Sequence, residues 1–391
     1  MTGEFSARGA HLGDFSLGNA MLILPDRVVS GGLRVRRGLI EAILTNDLAD
    51  PDALDLGGDY LLPGLIEVHT DHLESHLLPR IGAAWPPYSA VIAHDAQLIA
   101  AGITTVLDAF TLGDLEDRHP RMETIIECID ALDSARAQGL LRVDHWLHLR
   151  CELAYPQLPA MTQLLASHAR ARLLSLMDHT PGQRQYRDTD QYRSYYAGRG
   201  LVWGDAQFAE LIDIRRAQQK KFRETNLRAV LQMAQANQLH LASHDDASAG
   251  DVRDAHASGV QFAEFPTTIE AAQTARALGL LIIGGAPNLV RGGSHSGNVA
   301  AIELARQRCL DVLSSDFVPA SLLHGAFVLA EQAQYSLPDA IATVTATPAF
   351  ALGLQDRGRL LPGLRADLIR VRRFSTHPIV ISSWVNGKPC F

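Results

Sequence analysis

Between Leu65 and Ser315 the chain repeats one pattern: a short apolar run, then a segment long enough for a helix. Parallel neighbours cannot be joined by a tight turn, so this alternation predicts parallel strands with crossover helices. The runs fall at Leu65–His69, Thr104–Ala109, Trp146–Glu152, Leu173–Met177, His240–Ser243, Gln261–Phe265, Leu280–Gly284 and Asp311–Ser315. Eight such strands favour closure into a (β/α)8 TIM-type barrel over an open sheet. A chain of 391 residues has room for a barrel of roughly 250 residues and a satellite.

The flanks read differently. From Ala20 to Leu62 the segments AMLIL, GLRVRRG and GLIEAIL are separated by Pro25-Asp26, Gly31-Gly32 and Asn46-Asp47, which read as turns. After Pro348 the chain is strand-like again (ADLIRV, IVISSWVNG), with turns at Gly358, Pro362-Gly363 and Asn386-Gly387. The expected satellite is a small discontinuous β-sandwich from residues 1–62 and 350–391, with the barrel at 63–349. Between the fourth and fifth strands lies a long insert, Pro181 to Gln238, rich in Arg, Lys and Tyr. A segment of this length is a functional lid, an added helical hairpin or padding.

Composition removes several classes of function. Hydrophobic residues make up 47% and charged residues 20%, with mean hydropathy near zero, as in a globular protein. No run approaches the ~18 apolar residues of a transmembrane helix. The first twenty residues hold no signal-like apolar core, so a cytoplasmic protein is expected. Cys128, Cys151, Cys309 and Cys390 show no CxxC spacing and are expected to be reduced. A net charge of −8 argues against nucleic acid or an anionic membrane as partner. A local basic cleft could still bind a small anion, and a homo-oligomer is left open.

In such a barrel the reactive groups sit at the C-terminal ends of the strands. The first run ends His69-Thr70-Asp71, the third His148-Leu149-Arg150-Cys151-Glu152, and the fourth leads into Asp178-His179. The fifth closes with His244-Asp245-Asp246, the seventh leads to Asn288, and the eighth closes with Asp316. Residues i and i+2 share a strand face, so His69 can point with Asp71, and His148 with Arg150 and Glu152. One strand-end His is as often a hydrogen-bonded core residue as a ligand. Imidazoles and carboxylates converging from several strands are what Zn²⁺ or Mn²⁺ needs, and a divalent ion with an open position makes water acidic enough to attack near neutral pH.

The segment PGLIEVHTD resembles the opening motif of the amidohydrolase superfamily, Pro-Gly-Leu-Ile-Asp-x-His-x-His, and ATPAFALGLQDRGRLLPGLRADLIRV resembles its closing segment. The likeness covers most of residues 18 to 391, with Asp71 where a second His is usual. A narrower likeness runs through LLPGLIEVHTDHLESHLLPR, HDAQLIAAGITTVLDA, HLRCEL, SLMDHTPGQRQY, ASHDDA, AEFPTT, GAPNLVRGGSHSGNVAA and LSSD. These blocks, in order, resemble the phosphonate-utilisation branch, the α-D-ribose 1-methylphosphonate 5-triphosphate diphosphatases, in which the HTD form is normal. The resemblance implies release of pyrophosphate from a small ribosyl phosphonate triphosphate. It implies ligands at His69, Asp71, Glu152, His179 and His244, with Glu152 bridging if two ions bind. It also implies that Asp316 touches the metal, orients the water and accepts its proton.

A polyphosphate needs cations and amides. The run from Asn288 to Asn298 reads as a Gly-rich loop between the seventh strand and a helix at Val299, so Arg291, Gly292, Gly293 and His295 are expected at phosphate oxygens. Arg184 and Arg187 could reach a triphosphate from above, whereas Lys220, Lys221 and Arg223 read as a solvated face. Arg150, on an inward face, must pair with protein carboxylates or with substrate. Glu67, Asp108 and Glu264 are assigned supporting roles. The alternative activity is C–N bond hydrolysis, as in dihydroorotase- or deacetylase-like relatives, against which the Arg- and Gly-rich rim argues. A metal-free scaffold is disfavoured by the intact His69, His179, His244 and Asp316.

Overall fold

A computed structural model describes residues 14–45, 50, 52–80, 83–113, 122–198, 201–294 and 297–391. The expected turn at Asn46-Asp47 and the expected phosphate contact at His295 lie outside them.

Eight barrel strands run in chain order: Leu65–Thr70, Ile103–Leu112, Asp144–Glu152, Ala171–Met177, His240–His244, Phe262–Glu264, Leu281–Gly285 and Val312–Ser314. Each pairs in parallel with the next. Closure comes from a parallel bridge between Thr70 and Asp316, reinforced by Thr70 Oγ1 donating to Asp316 O (2.6 Å) and Ser314 Oγ donating to His69 O (2.6 Å). Ile66, Val68, Leu107, Leu173, Ala242, Phe262, Ile283 and Val312 fill the barrel, with Ala349, Leu352 and Leu354 in the same cluster. The interior is therefore a packed core with a polar mouth above it. A larger apolar layer lies between strands and helices, drawing Leu98, Ile129, Val252, Ala275 and Leu329.

Strands from both ends of the chain make a second sheet. Phe15–Ile23, Val28–Arg36 and Leu39–Thr45 pair antiparallel in sequence, and Tyr60–Pro63 joins Phe15–Ile23 to the returning Leu368–Phe374, which pairs with His377–Val385. Leu22, Leu33, Ile40, Leu61, Leu368 and Trp384 come from all across this sheet yet share one cluster, so the sheet curls over its own core. Gly31-Gly32 is no turn: it lies inside Val28–Arg36. A Cβ on Gly32 would meet Leu17 O at 2.1 Å, so close approach of neighbouring strands explains these glycines.

The insert is helical, with a 3-10 turn at Arg184–Tyr186, a helix at Thr189–Gly198 and a 33-residue helix at Asp205–Asn237. Tyr186, Tyr192 and Phe208 form its small core, flanked by Tyr195, Tyr196 and Trp203. The long helix is anchored by Gln219 Nε2 donating to Asp178 Oδ2 (2.7 Å), with Arg223 Nε 3.4 Å from the same oxygen. Arg223 therefore belongs to this anchor and not to the solvated face expected for it.

Candidate active site

The strands stop where the chain must turn its polar side chains into the mouth. Asp245 and Phe265, directly after the fifth and sixth strands, and Asp316, two residues past the eighth, have φ of +57°, +51° and +52°. Non-glycine residues rarely adopt this conformation, and it is concentrated at functional sites. In the first strand the register shifts between Glu67 and Thr70. Glu67 accepts His69 N at 2.7 Å and Ser315 N at 2.5 Å, tying the first strand to the last beneath the mouth.

Above this floor is a cavity of about 360 Å³. His69, Asp71, Glu152, His179, His244 and Asp316, drawn from five strand ends, all line it, as does Arg150. Insert residues Gln185, Tyr186, Tyr195 and Tyr196, the helical Asn288 and the loop residues Ser294 and Asn298 also line it. The insert is thus both helical hairpin and cavity roof.

Glu264 organises the imidazoles from below. Fully buried, it stands 3.1 Å from His69 Nδ1 and 3.2 Å from His244 Nδ1, and it accepts Ser175 Oγ at 2.6 Å. Burial opposes its ionisation, but the charge of His69 and the hydrogen bonds from His244 and His69 hold it well below the usual carboxylate range. With Nδ1 of His69 and His244 turned to Glu264, each ring is left its Nε2 for the cavity. A carboxylate behind an imidazole is the usual support of a metal-binding histidine. His148 is buried on Val68 O (3.0 Å) and burial drives its pKa down to about 3, so it packs beneath the site as a neutral ring.

Glu152 Oε2 lies 2.8 Å from His179 Nδ1, and Asp245 Oδ2 lies 3.4 Å from His244 Nε2 and 4.0 Å from His179 Nε2. His179, His244 and Asp245 can each bring a donor atom within 4.8 Å of the others, as can His69, His148 and Glu264. These imidazole and carboxylate donors fit a divalent ion that takes nitrogen and oxygen ligands. Burial, then the neighbouring Asp71 charge, raises the Asp316 pKa to about 7. Asp71 Oδ2 stands 3.4 Å from Arg150 Nη1, and Arg150 Nε is buried without a hydrogen-bond partner.

Among the described residues, the other expected phosphate contacts do not line the cavity. Arg184 Nη1 donates to Leu176 O (3.0 Å) and to His244 O, and lies 3.4 Å from Asp246, so this guanidinium braces two strand ends. Arg187 is half-exposed beside Asp251. Residues 286–291 are not loop but a short helix, Ala286–Arg291, started by Pro287 and stopped by Gly292 at φ +80°. Arg291 and Gly292 therefore sit at an exposed helix C-terminus, with Gly293 beside them, and the next helix begins at Ala301. Asn288 accepts Ala301 N (2.9 Å) and donates to Val299 O (3.2 Å), which holds the loop across the cavity rim.

Glu264 stands in the supporting role expected for it, whereas Asp245 was not singled out from sequence as a working part. Its signal was the second position of His244-Asp245-Asp246. Among the described residues a third cluster, His94, Asp108 and His145, lies outside the cavity, between the helix Pro87–Ala100 and the second and third strands. Asp108 holds His94 Nε2 (2.8 Å) and His145 Nδ1 (2.7 Å), while Asp95 holds His145 Nε2 (3.4 Å) and Arg142 Nη1 (2.9 Å).

Among solved structures, the chain resembles N-isopropylammelide isopropylaminohydrolase from Burkholderia multivorans, with a TM-score of 0.63 and 17% identity over 96% of this chain and 97% of that one. N-acetylglucosamine-6-phosphate deacetylase from Pasteurella multocida gives a TM-score of 0.60 and 14% identity over 96% and 99%. At such identities the likeness speaks for the fold alone. The family model described as "Amidohydrolase family" matches residues 222–391. The alpha-D-ribose 1-methylphosphonate 5-triphosphate diphosphatase of Escherichia coli is 44% identical over 377 residues, covering 96% of this chain and all of the relative. On that whole-length similarity, the chain belongs to the amidohydrolase superfamily, in the family of that diphosphatase.

Proposed function

We propose that the protein hydrolyses α-D-ribose 1-methylphosphonate 5-triphosphate to the 5-phosphate and pyrophosphate, acting in the cytoplasm in phosphonate catabolism. The observation that carries this reading is the 44% identity to the diphosphatase over its entire length. In this reading His69, Asp71, Glu152, His179, His244 and Asp316 hold one or two divalent ions, Zn²⁺ or Mn²⁺, with Asp245 as a further oxygen donor. A bound ion supplies Lewis acidity toward a phosphoryl oxygen and lowers the pKa of water. Asp316 orients the attacking water toward the α-phosphorus and accepts its proton at a carboxylate oxygen whose affinity for protons is raised by burial and by Asp71. Glu264 fixes the tautomer and angle of the His69 and His244 rings. Arg150, the one Arg or Lys among the described cavity residues, gives phosphate oxygens a planar cationic partner. The aromatic insert roofs the cavity and limits bulk water.

Phosphorus NMR of the metal-loaded enzyme with this triphosphate tests the reading, with ordinary nucleoside triphosphates alongside. Pyrophosphate and the ribosyl 5-phosphate should appear together, faster than from the nucleotides. No turnover of the ribosyl triphosphate, or orthophosphate as the first product, would refute it.

A further inference from the structure

A second group of imidazoles converges outside the cavity. His72 and His76 lie four residues apart on the helix His72–Leu77, the spacing that puts two ligands on one helix face. His94, on the helix Pro87–Ala100, packs against both. The ring centroids are 5.0 Å apart for His72 and His76, 6.0 Å for His72 and His94, and 5.8 Å for His76 and His94. None of the three rings lines the catalytic cavity, although His72 follows Asp71 in sequence.

One side of each ring is anchored. His72 Nδ1 donates to Phe317 O (3.0 Å), His94 Nε2 lies on Asp108 Oδ1 (2.8 Å), and His76 bonds the Gln97 side chain. The opposite nitrogens, His72 Nε2, His76 Nε2 and His94 Nδ1, are all buried without a hydrogen-bond partner. A carbonyl or carboxylate on the anchored side takes the ring N–H, which leaves the opposite nitrogen a bare lone pair. His94 is fully buried, and burial holds both His94 and His76 below the ordinary imidazole range, so these rings stay neutral. A buried acceptor left unsatisfied is costly, and three on neighbouring rings call for a shared partner.

We propose that His72, His76 and His94 form a binding site for a divalent transition metal ion, distinct from the catalytic centre. Three imidazoles on one tetrahedral Zn²⁺ have centroids about 5 Å apart, so the rings, at 5.0–6.0 Å, must draw inward to share an ion. Asp108 behind His94 and Phe317 O behind His72 are the outer acceptors that such ligands use. The ion fastens the helix after the first strand to the next helix, next to the segment that carries Asp316.

The test is zinc content. Full-length protein saturated with Zn²⁺ and passed through gel filtration should hold one more zinc per chain than His76→Leu or His72→Leu protein treated identically, by elemental analysis. The kcat of His76→Leu should stay within about twofold of the parent, as for a change away from the reacting groups. In the parent protein, Co²⁺ in place of zinc should add a tetrahedral visible absorption that both variants lack. Equal zinc in parent and variants would mean that the pocket holds water, and would overturn the proposal. Loss of more than one zinc together with activity would place the lost ions in the catalytic cavity, and would overturn it equally.

Discussion

Asp316 and Glu264 divide the work of the cavity between proton transfer and ligand orientation. Asp316→Asn removes the proton acceptor but keeps an oxygen at the same place, so fold and metal content should survive while kcat falls at least ~10²-fold. Steady-state kinetics on protein of measured metal content checks this, and near-normal kcat would remove Asp316 from the reaction. Glu264→Gln keeps the shape of the side chain but withdraws its charge from His69 and His244. Metal affinity should drop roughly 10- to 100-fold, read by competition with a chelator. The six strand-end residues were legible in the sequence because each closes an apolar run with a polar side chain. Glu264 was legible as a supporting residue but not as the partner of His69 and His244 in particular, because its carboxylate turns inward under the rings from a strand of only Phe262–Glu264.

At the scale of elements, the barrel strands were legible to within a few residues, since alternation of apolar runs and helix-length segments reflects burial directly. The rim after the seventh strand was not. Pro287 and Gly292 are start and stop signals for a short helix, but the glycines and Arg291 favoured a loop reading. The consequence is a reassignment of the phosphate contact. Arg150→Ala should lower kcat/KM for the triphosphate by roughly 10- to 150-fold, equivalent to a charge-assisted contact of ~1.5–3 kcal/mol. Arg291→Ala, a change at an exposed helix end, should leave it within about twofold. Kinetics of the two variants side by side decide between them, and the reverse order would restore the loop reading.

A second element-scale device is the buried pairing of the helix Pro87–Ala100 with the second and third strands. Burial works against a charged His145, but Asp108 and then Asp95 raise its pKa to about 9. The folded state therefore binds the proton more tightly than the unfolded state, whose His pKa is ~6.5. The stabilisation is fully present below pH ~6.5 and is lost as pH rises through about 9. His145→Gln should cost about 3–5 kcal/mol at pH 6, as for a broken buried pair, and clearly less at pH 10. Urea denaturation at the two pH values measures it, and a pH-independent loss would mean that His145 acts through packing alone.

For the whole molecule, the two ends of the chain complete one sheet, and the segment between that sheet and the last barrel helices is stitched to the barrel floor. Leu352 and Leu354 enter the barrel core, and the buried Arg357 donates to Asp144 Oδ2 (2.8 Å) and Thr105 Oγ1 (2.9 Å) at strand starts. This arrangement fills the floor with packed and paired side chains, while the candidate site lies at the opposite end. The central claim is that water attacks the α-phosphorus there and pyrophosphate departs. Hydrolysis of the ribosyl triphosphate in ¹⁸O-water, followed by mass spectrometry of both products, tests that claim most directly. One labelled oxygen should appear in the ribosyl 5-phosphate and none in the pyrophosphate; label in the pyrophosphate would place the attack at the β-phosphorus and contradict the account.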